Sequence, residues 1–154
     1  MTDVVAGVDI GGTNTVIGFV TRDGDVISEG RLSTADYAFA VDFVEAFSAK
    51  LAEMQGGMKD INLRGVGIGA PNANYHKGTI ELAPNLRWKG IVPLGDMIEK
   101  KTGLSVKLTN DANAAALGEM LFGAARGMKD FIILTLGTGL GSGIVVDGEV
   151  VYGH

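Results

Sequence analysis

Apolar positions lay out the chain before any motif does. Val4 to Ile10 (VVAGVDI) and Thr15 to Thr21 (TVIGFVT) are β-branched, apolar runs joined by Gly11-Gly12-Thr13-Asn14, which reads as a strand, a turn and a strand. Asp23-Gly24 turns the chain again into Val26 to Ser33, so the pattern predicts an antiparallel meander of three strands. From Ala40 the period changes. Ala40, Phe43, Val44, Phe47, Leu51 and Met54 recur at three- and four-residue steps and stop at Gly56-Gly57, one apolar face of a helix. Val66 to Ala70 (VGIGA) is short and uncharged, as a buried parallel strand would be.

Residues 71–93 hold all three Pro together with His76 and Trp88, and are expected to form one long ordered loop, a kind of segment that is often functional. A helix over Leu94 to Lys101 closes at Gly103, and Ser105 to Thr109 is a strand. Asp111 to Ala125 (DANAAALGEMLFGAA) is rich in Ala. The spacing predicts a helix with Leu117, Met120, Leu121 and Ala124 on its buried face. Phe131 to Leu136, Ser142 to Val146 and Glu149 to Tyr152, with turns at 137–141 and at Asp147-Gly148, begin a second meander that echoes the first. No helix follows to cover it, and an uncovered sheet face cannot bury its apolar side. The expectation is a fragment, or a face covered by a partner chain or a second copy, hence a homo-oligomer.

Composition narrows the field. Gly makes up 24 of 154 residues, about twice the ~7% of an average protein, yet 46% hydrophobic content excludes a flexible linker. A net charge of −5 and a pI near 4.9 leave no basic field for nucleic acid or anionic lipid. The absence of Cys removes disulfides, thiolate catalysis and Cys-based zinc sites from these residues, and fits a reducing cytoplasm. Met1-Thr2-Asp3 lacks the basic start of a signal peptide. The uncharged stretch from Phe131 to Val146 is broken by Gly and is shorter than the ~20 apolar residues of a membrane helix. A soluble, cytoplasmic protein is expected.

Three constellations could carry chemistry. Asp9-Ile10-Gly11-Gly12-Thr13-Asn14 offers two glycines that let backbone amides approach an anion, hydroxyl and amide side chains beside them, and a carboxylate able to hold hydrated Mg²⁺. The same residues also suit a plain hairpin turn. Gly137-Thr138-Gly139-Leu140-Gly141-Ser142-Gly143 alternates glycines between strands, a second candidate phosphate turn whose spacing is not that of a dinucleotide fold. Gly65-x-Gly67-x-x-Ala70 runs into Pro71 instead of a helix, and no P-loop occurs. Asn110-Asp111 follows a strand and opens a helix, where a carboxylate could take a proton from an attacking hydroxyl or simply cap the helix. His76 and His154 stand isolated, so neither reads as a metal ligand. Trp88 could stack on a sugar or anchor its loop.

Taken in chain order, these motifs resemble the ROK family of bacterial sugar kinases, in the actin-like and hexokinase-like ATPase superfamily. Val8-Asp9-Ile10-Gly11-Gly12-Thr13 resembles the first phosphate motif, Leu108 to Ala115 (LTNDANAA) the catalytic segment, and Thr135 to Gly143 (TLGTGLGSG) the second phosphate motif. Ala83-Pro84-Asn85-Leu86-Arg87-Trp88 is similar to the Pro-Asn-Leu…Trp stretch of the glucokinase branch. The resemblance implies an α/β, ribonuclease H-like lobe with a mixed sheet, spanning 1–125, followed at 126–154 by the opening strands of a second, similar lobe. It implies ATP- and Mg²⁺-dependent phosphorylation of a hexose, glucose first, or of an N-acetylhexosamine, and it also leaves room for a sugar-binding regulator.

By the same resemblance, Asp111 is the general base and Asn85, Asn110 and Asp111 hold sugar hydroxyls. Asp9, Gly11, Gly12, Thr13, Asn14, Gly137, Thr138 and Gly139 grip the nucleotide phosphates, Asp9 also holding Mg²⁺ through water. After Gly69-Ala70-Pro71 the family commonly has Gly, where this chain has Asn72. The family's sugar-binding Glu and His, its adenine contacts and any structural zinc would lie beyond His154.

Overall fold

The computed structural model describes residues 1–137 and 139–153. Three antiparallel strands open it: β1 (Thr2–Ile10), β2 (Asn14–Thr21) and β3 (Val26–Ser33). α1 (Ala40–Gly56) leads to β4 (Ile61–Gly69), which runs parallel to β1. After a loop segment, α2 (Leu94–Thr102) returns the chain to β8 (Ser105–Thr109), parallel to β4. The five strands lie in the order β3-β2-β1-β4-β8, so an antiparallel meander continues into a parallel half, the mixed sheet expected.

The boundaries of β1, β2, β3 and α1 follow the apolar pattern, whereas β4 begins at Ile61, well ahead of the uncharged run expected at Val66 to Ala70, because Ile61 and Leu63 are buried in alternation with Asn62 and Arg64. Val4, Ala6, Val8 and Ile10 alternate inward along β1 and meet Phe43, Val44, Phe47, Leu51 and Met54 of α1. Phe43 and Phe47 are fully buried and stacked, centroids 6.0 Å apart, each worth about 1.5–3 kcal/mol relative to exposure. α2 stops at Gly103, whose φ of 72° is the left-handed conformation that Gly adopts at least cost.

Residues 71–93 depart from the single loop expected. They fold into a small sheet of β5 (Ala73–Asn74), β6 (Thr79–Glu81) and β7 (Ile91–Val92). Strands of two or three residues are too short to show a period, so the sequence carried no signal for them. Trp88 is the anchor of this segment. It is 4% exposed, donates its indole N–H to the Tyr37 carbonyl at 3.1 Å, and packs on Phe43.

The last helix, α3 (Asp111–Phe122), ends before Gly123 rather than at Ala125. Its buried face is Ala112, Asn113 and Ala116, with Leu117 and Met120 only partly covered and Leu121 and Ala124 exposed. The expected face of larger residues is therefore displaced, because α3 is gripped between two sheets that leave room only for small side chains. On one side a β-carbon at Gly69 of β4 would touch the Ala114 methyl at 3.1 Å. On the other lie β9 (Phe131–Leu136), β10 (Leu140–Val146) and β11 (Glu149–Val150), an antiparallel sheet in the order β11-β10-β9. Its covered face packs Val145 and Val150 on α3 as a second, smaller core. Its other face leaves Ile132, Leu134, Leu136 and Leu140 exposed.

Candidate active site

The parallel strands bring the first and third constellations to one edge. Across the sheet Asp9 pairs with Gly69 and Gly69 with Thr109, so the carboxyl ends of β1, β4 and β8 form a row about 10 Å long. Asp9 is the penultimate residue of β1, just ahead of the first glycine turn, and Thr109 passes directly to Asn110 and Asp111 at the start of α3. Beyond Val66 and Ile68, which face the main core, alternation turns Gly67 and Gly69 to the side of α3. Asp9 is in register with Gly69 and shares that side.

Of the two roles left open by the sequence of Asn110 and Asp111, the helix cap falls to Asn110. Asn110 is the N-cap, its Oδ1 accepting from the Asn113 amide at 2.7 Å. Buried Asn113 in turn donates to Thr109 Oγ1 at 3.1 Å, which locks the strand-to-helix junction. Asp111 is exposed, its Oδ1 taking the adjacent Ala112 amide at 2.9 Å. The capping is done by one residue and the other is left with a carboxylate facing solvent.

A cleft of about 680 Å³ gathers Asp9, Gly11 and Gly12 from the first turn, Asn85 from the small-sheet segment, Asn110 and Asp111, and Gly137 and Gly139 from the β9–β10 turn. Thr13 and Asn14 do not line it. The Thr13 carbonyl is instead taken by the Thr34 and Ala35 amides at 2.8 and 3.2 Å, while Thr15 and Thr34 share a buried hydroxyl contact of 2.8 Å that braces the turn. Thr138 and His154 lie outside the described residues.

The glycines of the second turn separate into two kinds. Among the described residues nothing stands within 4 Å of a β-carbon placed on Gly137 or Gly139, so no side chain crowds this turn, which the Gly137 amide closes on the Gly139 carbonyl at 3.0 Å. A β-carbon on Gly141 would meet Thr135 Oγ1 and the Ala112 methyl, and one on Gly143 the Ala112 carbonyl and the Ala116 methyl. Both lack a side chain where β10 closes on α3, and Gly141 also lines the cleft.

Electrostatics centre on Asp9. Burial, and secondarily the Asp111 carboxylate, raise its carboxyl above the ordinary 3.8. The Asp111 carboxylate is thus close enough to oppose ionisation of Asp9, an effect that a cation relieves.

Asn72, at the position where the family commonly has Gly, also lines the cleft. Its φ is 52°, in the left-handed region where Asn is the residue best tolerated after Gly. Its Nδ2 donates to the Glu81 and Leu82 carbonyls at 3.1 and 3.3 Å, so the substitution keeps the turn and adds a brace. Thr135 and Ser142, which belong to the second phosphate motif but carry no assigned role there, also line the cleft. The Gly69-Ala70-Pro71-Asn72 turn after an apolar strand is the signal in the sequence that points to Asn72.

A mixed five-stranded sheet, paired glycine turns and an acid at a helix start together define an actin-like ATPase lobe of the kind sugar kinases use. The chain belongs to the ROK family, which it matches over residues 5–154. It is 38% identical over 149 residues to a glucokinase of Streptomyces coelicolor, a match covering 96% of this chain and 45% of that protein. Over 90 residues it is 44% identical to a xylose repressor of Caldicellulosiruptor bescii, covering 58% of this chain and 22% of the repressor. Among solved structures, the ROK family glucokinase from Streptomyces griseus in complex with glucose and AMPPNP superposes with a TM-score of 0.84 at 39% identity, over 98% of this chain and 47% of that one. The chain thus spans about half the length of the glucokinases it matches.

Proposed function

We propose that the intact protein is an ATP-dependent hexose kinase, with glucose as its substrate, and that residues 1–125 are its N-terminal lobe and 126–154 the start of a second. One observation carries the reading. Both glycine turns and the Asn110-Asp111 helix start line a single cleft, so phosphates held at the turns and a sugar held at Asn85 and Asn110 would meet at Asp111. There the Asp111 carboxylate takes the proton of the 6-hydroxyl as its oxygen bonds to the γ-phosphorus, and the bond to the β-bridging oxygen breaks to release ADP. Amides at Gly12 and Gly139 hold the phosphates, while the Gly11 amide, given to the Asn14 carbonyl at 2.9 Å, and the Gly137 amide, given to the Gly139 carbonyl at 3.0 Å, keep the two turns tight.

Magnesium fits the residues present. No cluster of three or more His, Cys, Asp or Glu exists among the described residues, and Mg²⁺ characteristically takes one or two carboxylates, waters and substrate phosphates. Asp9 would hold it through water, and bound there it would offset the charge of Asp111 and of the phosphates. Self-association through the exposed face of Ile132, Leu134 and Leu136 belongs to the same reading, as does a cytoplasmic setting.

A coupled assay of the intact protein with glucose and Mg-ATP tests the activity, with mannose and N-acetylmannosamine as competitors for the substrate. ADP release without sugar phosphate, or no turnover with any hexose, sinks it. The likeness to a repressor supports a second reading, a regulator that binds sugar without turning it over. Saturable sugar binding in a protein that forms no sugar phosphate would favour that one.

A further inference from the structure

Behind Asn110 the cleft opens into a side pocket of about 290 Å³ that shares Asn72, Ala73 and Asn110 with it and touches none of the turn glycines. Its outer wall is a pair of rings from distant parts of the chain. Tyr75 and Tyr152 lie face to face, centroids 3.9 Å apart and planes 9° from parallel, with His76 edge-on to both.

Each ring sits on a firm support. In the β5–β6 turn, Asn74 Oδ1 accepts the His76 and Lys77 amides at 3.1 and 3.2 Å. Thr79 Oγ1, Lys77 Nζ and Asn74 Nδ2 converge on Glu81 Oε1 at 2.9, 3.3 and 3.4 Å. The turn that presents Tyr75 is therefore held by its own side chains. Tyr152 follows β11, whose Val150 is buried against α3. The stack thus joins the small sheet, which carries Asn72, to the strands that carry the second glycine turn.

We propose that Tyr75 and Tyr152 are a positioning pair for the sugar. Their stacking sets the width of the side pocket, and that pocket receives the part of the hexose remote from the transferred phosphate. This rests on the kinase reading, in which the 6-hydroxyl lies at Asp111 and the phosphates lie at the turns. The rest of the ring then extends past Asn110 toward Asn72. Hexose selection is by this account a property of the pair and not of the phosphate turns.

Steady-state kinetics of the intact protein test it. Tyr75→Ala should raise the KM for glucose between about two- and ten-fold, the range an aromatic pair supports, with kcat and the KM for ATP within two-fold of the unsubstituted protein. Tyr75→Phe, which keeps the ring face, should restore the glucose KM. Tyr152→Ala should match Tyr75→Ala, and the double variant should be no worse than either, because each ring acts through the other. Should Tyr75→Ala fail to give a cooperative melt, Tyr75→Leu keeps apolar bulk without the flat face and is held to the same expectation. A glucose KM that does not move, an equal rise in the KM for ATP, or additive single effects overturn the proposal while the kinase reading stands. No hexose turnover in the unsubstituted protein overturns both.

Discussion

Gly12 lies against the main chain of Asn85: a β-carbon at Gly12 would stand 2.5 Å from the Asn85 carbonyl oxygen. The first glycine turn and the small-sheet segment, far apart in sequence, thus meet backbone to backbone. Arg87 Nη1 donates to the Ala35 carbonyl at 2.9 Å and Trp88 to that of Tyr37, so the segment carrying Asn85 cannot easily retreat. Gly12→Ala should cost about 1–3 kcal/mol, the usual penalty of forced overpacking, read as a lowered denaturant midpoint at constant m-value. An unchanged midpoint would mean that the contact relaxes freely.

The two kinds of glycine at the second turn should respond oppositely. Gly143→Ala drives a methyl into the Ala112 carbonyl and the Ala116 side chain, and should also cost about 1–3 kcal/mol in chemical denaturation. Gly137→Ala meets open space, and should stay within about 0.5 kcal/mol. Its effect belongs to ligand binding, seen as weaker Mg-ATP affinity by titration calorimetry of the intact protein. Equal stability losses at the two positions would contradict the division.

Asp9 gives stability a pH dependence of unusual sign for an acid. Its folded carboxyl holds the proton more tightly than the unfolded one. The stability it contributes is therefore complete below the ordinary 3.8 and is lost as pH rises through the folded value. Asp9→Asn should raise the melting temperature at pH 7, and the advantage should fade as pH falls below 3.8. Salt should shrink the part due to Asp111, since both groups reach solvent. A difference independent of pH would rule out ionisation as the cause.

Asn110 and Asp111 should separate in two assays. Asn110→Ala removes the cap bond from the Asn113 amide and should cost about 1 kcal/mol of stability. Asp111→Asn should leave the melting temperature close to that of the unsubstituted protein and lower kcat of the intact protein by about 10²–10⁴, the contribution of a general base. Turnover that survives Asp111→Asn would remove Asp111 from that role.

Much of this was written in the chain itself. The meander β1–β3, the helix α1 and the strands β4 and β8 follow from apolar period and turn residues, because local sterics and one buried face decide them. The residues Asp9, Gly11, Gly12 and Asp111 stand out by type and order for the same local reason. Three matters were settled only by packing. Ala-rich α3 buries Ala112, Asn113 and Ala116 rather than its larger residues, because two sheets close on it from either side. Gly141 and Gly143 serve that closure while Gly137 and Gly139 stay open, a difference that spacing cannot express because it depends on which element lies opposite. The Tyr75–Tyr152 stack likewise needs both sheets in place, since nothing local relates two tyrosines so far apart in the chain.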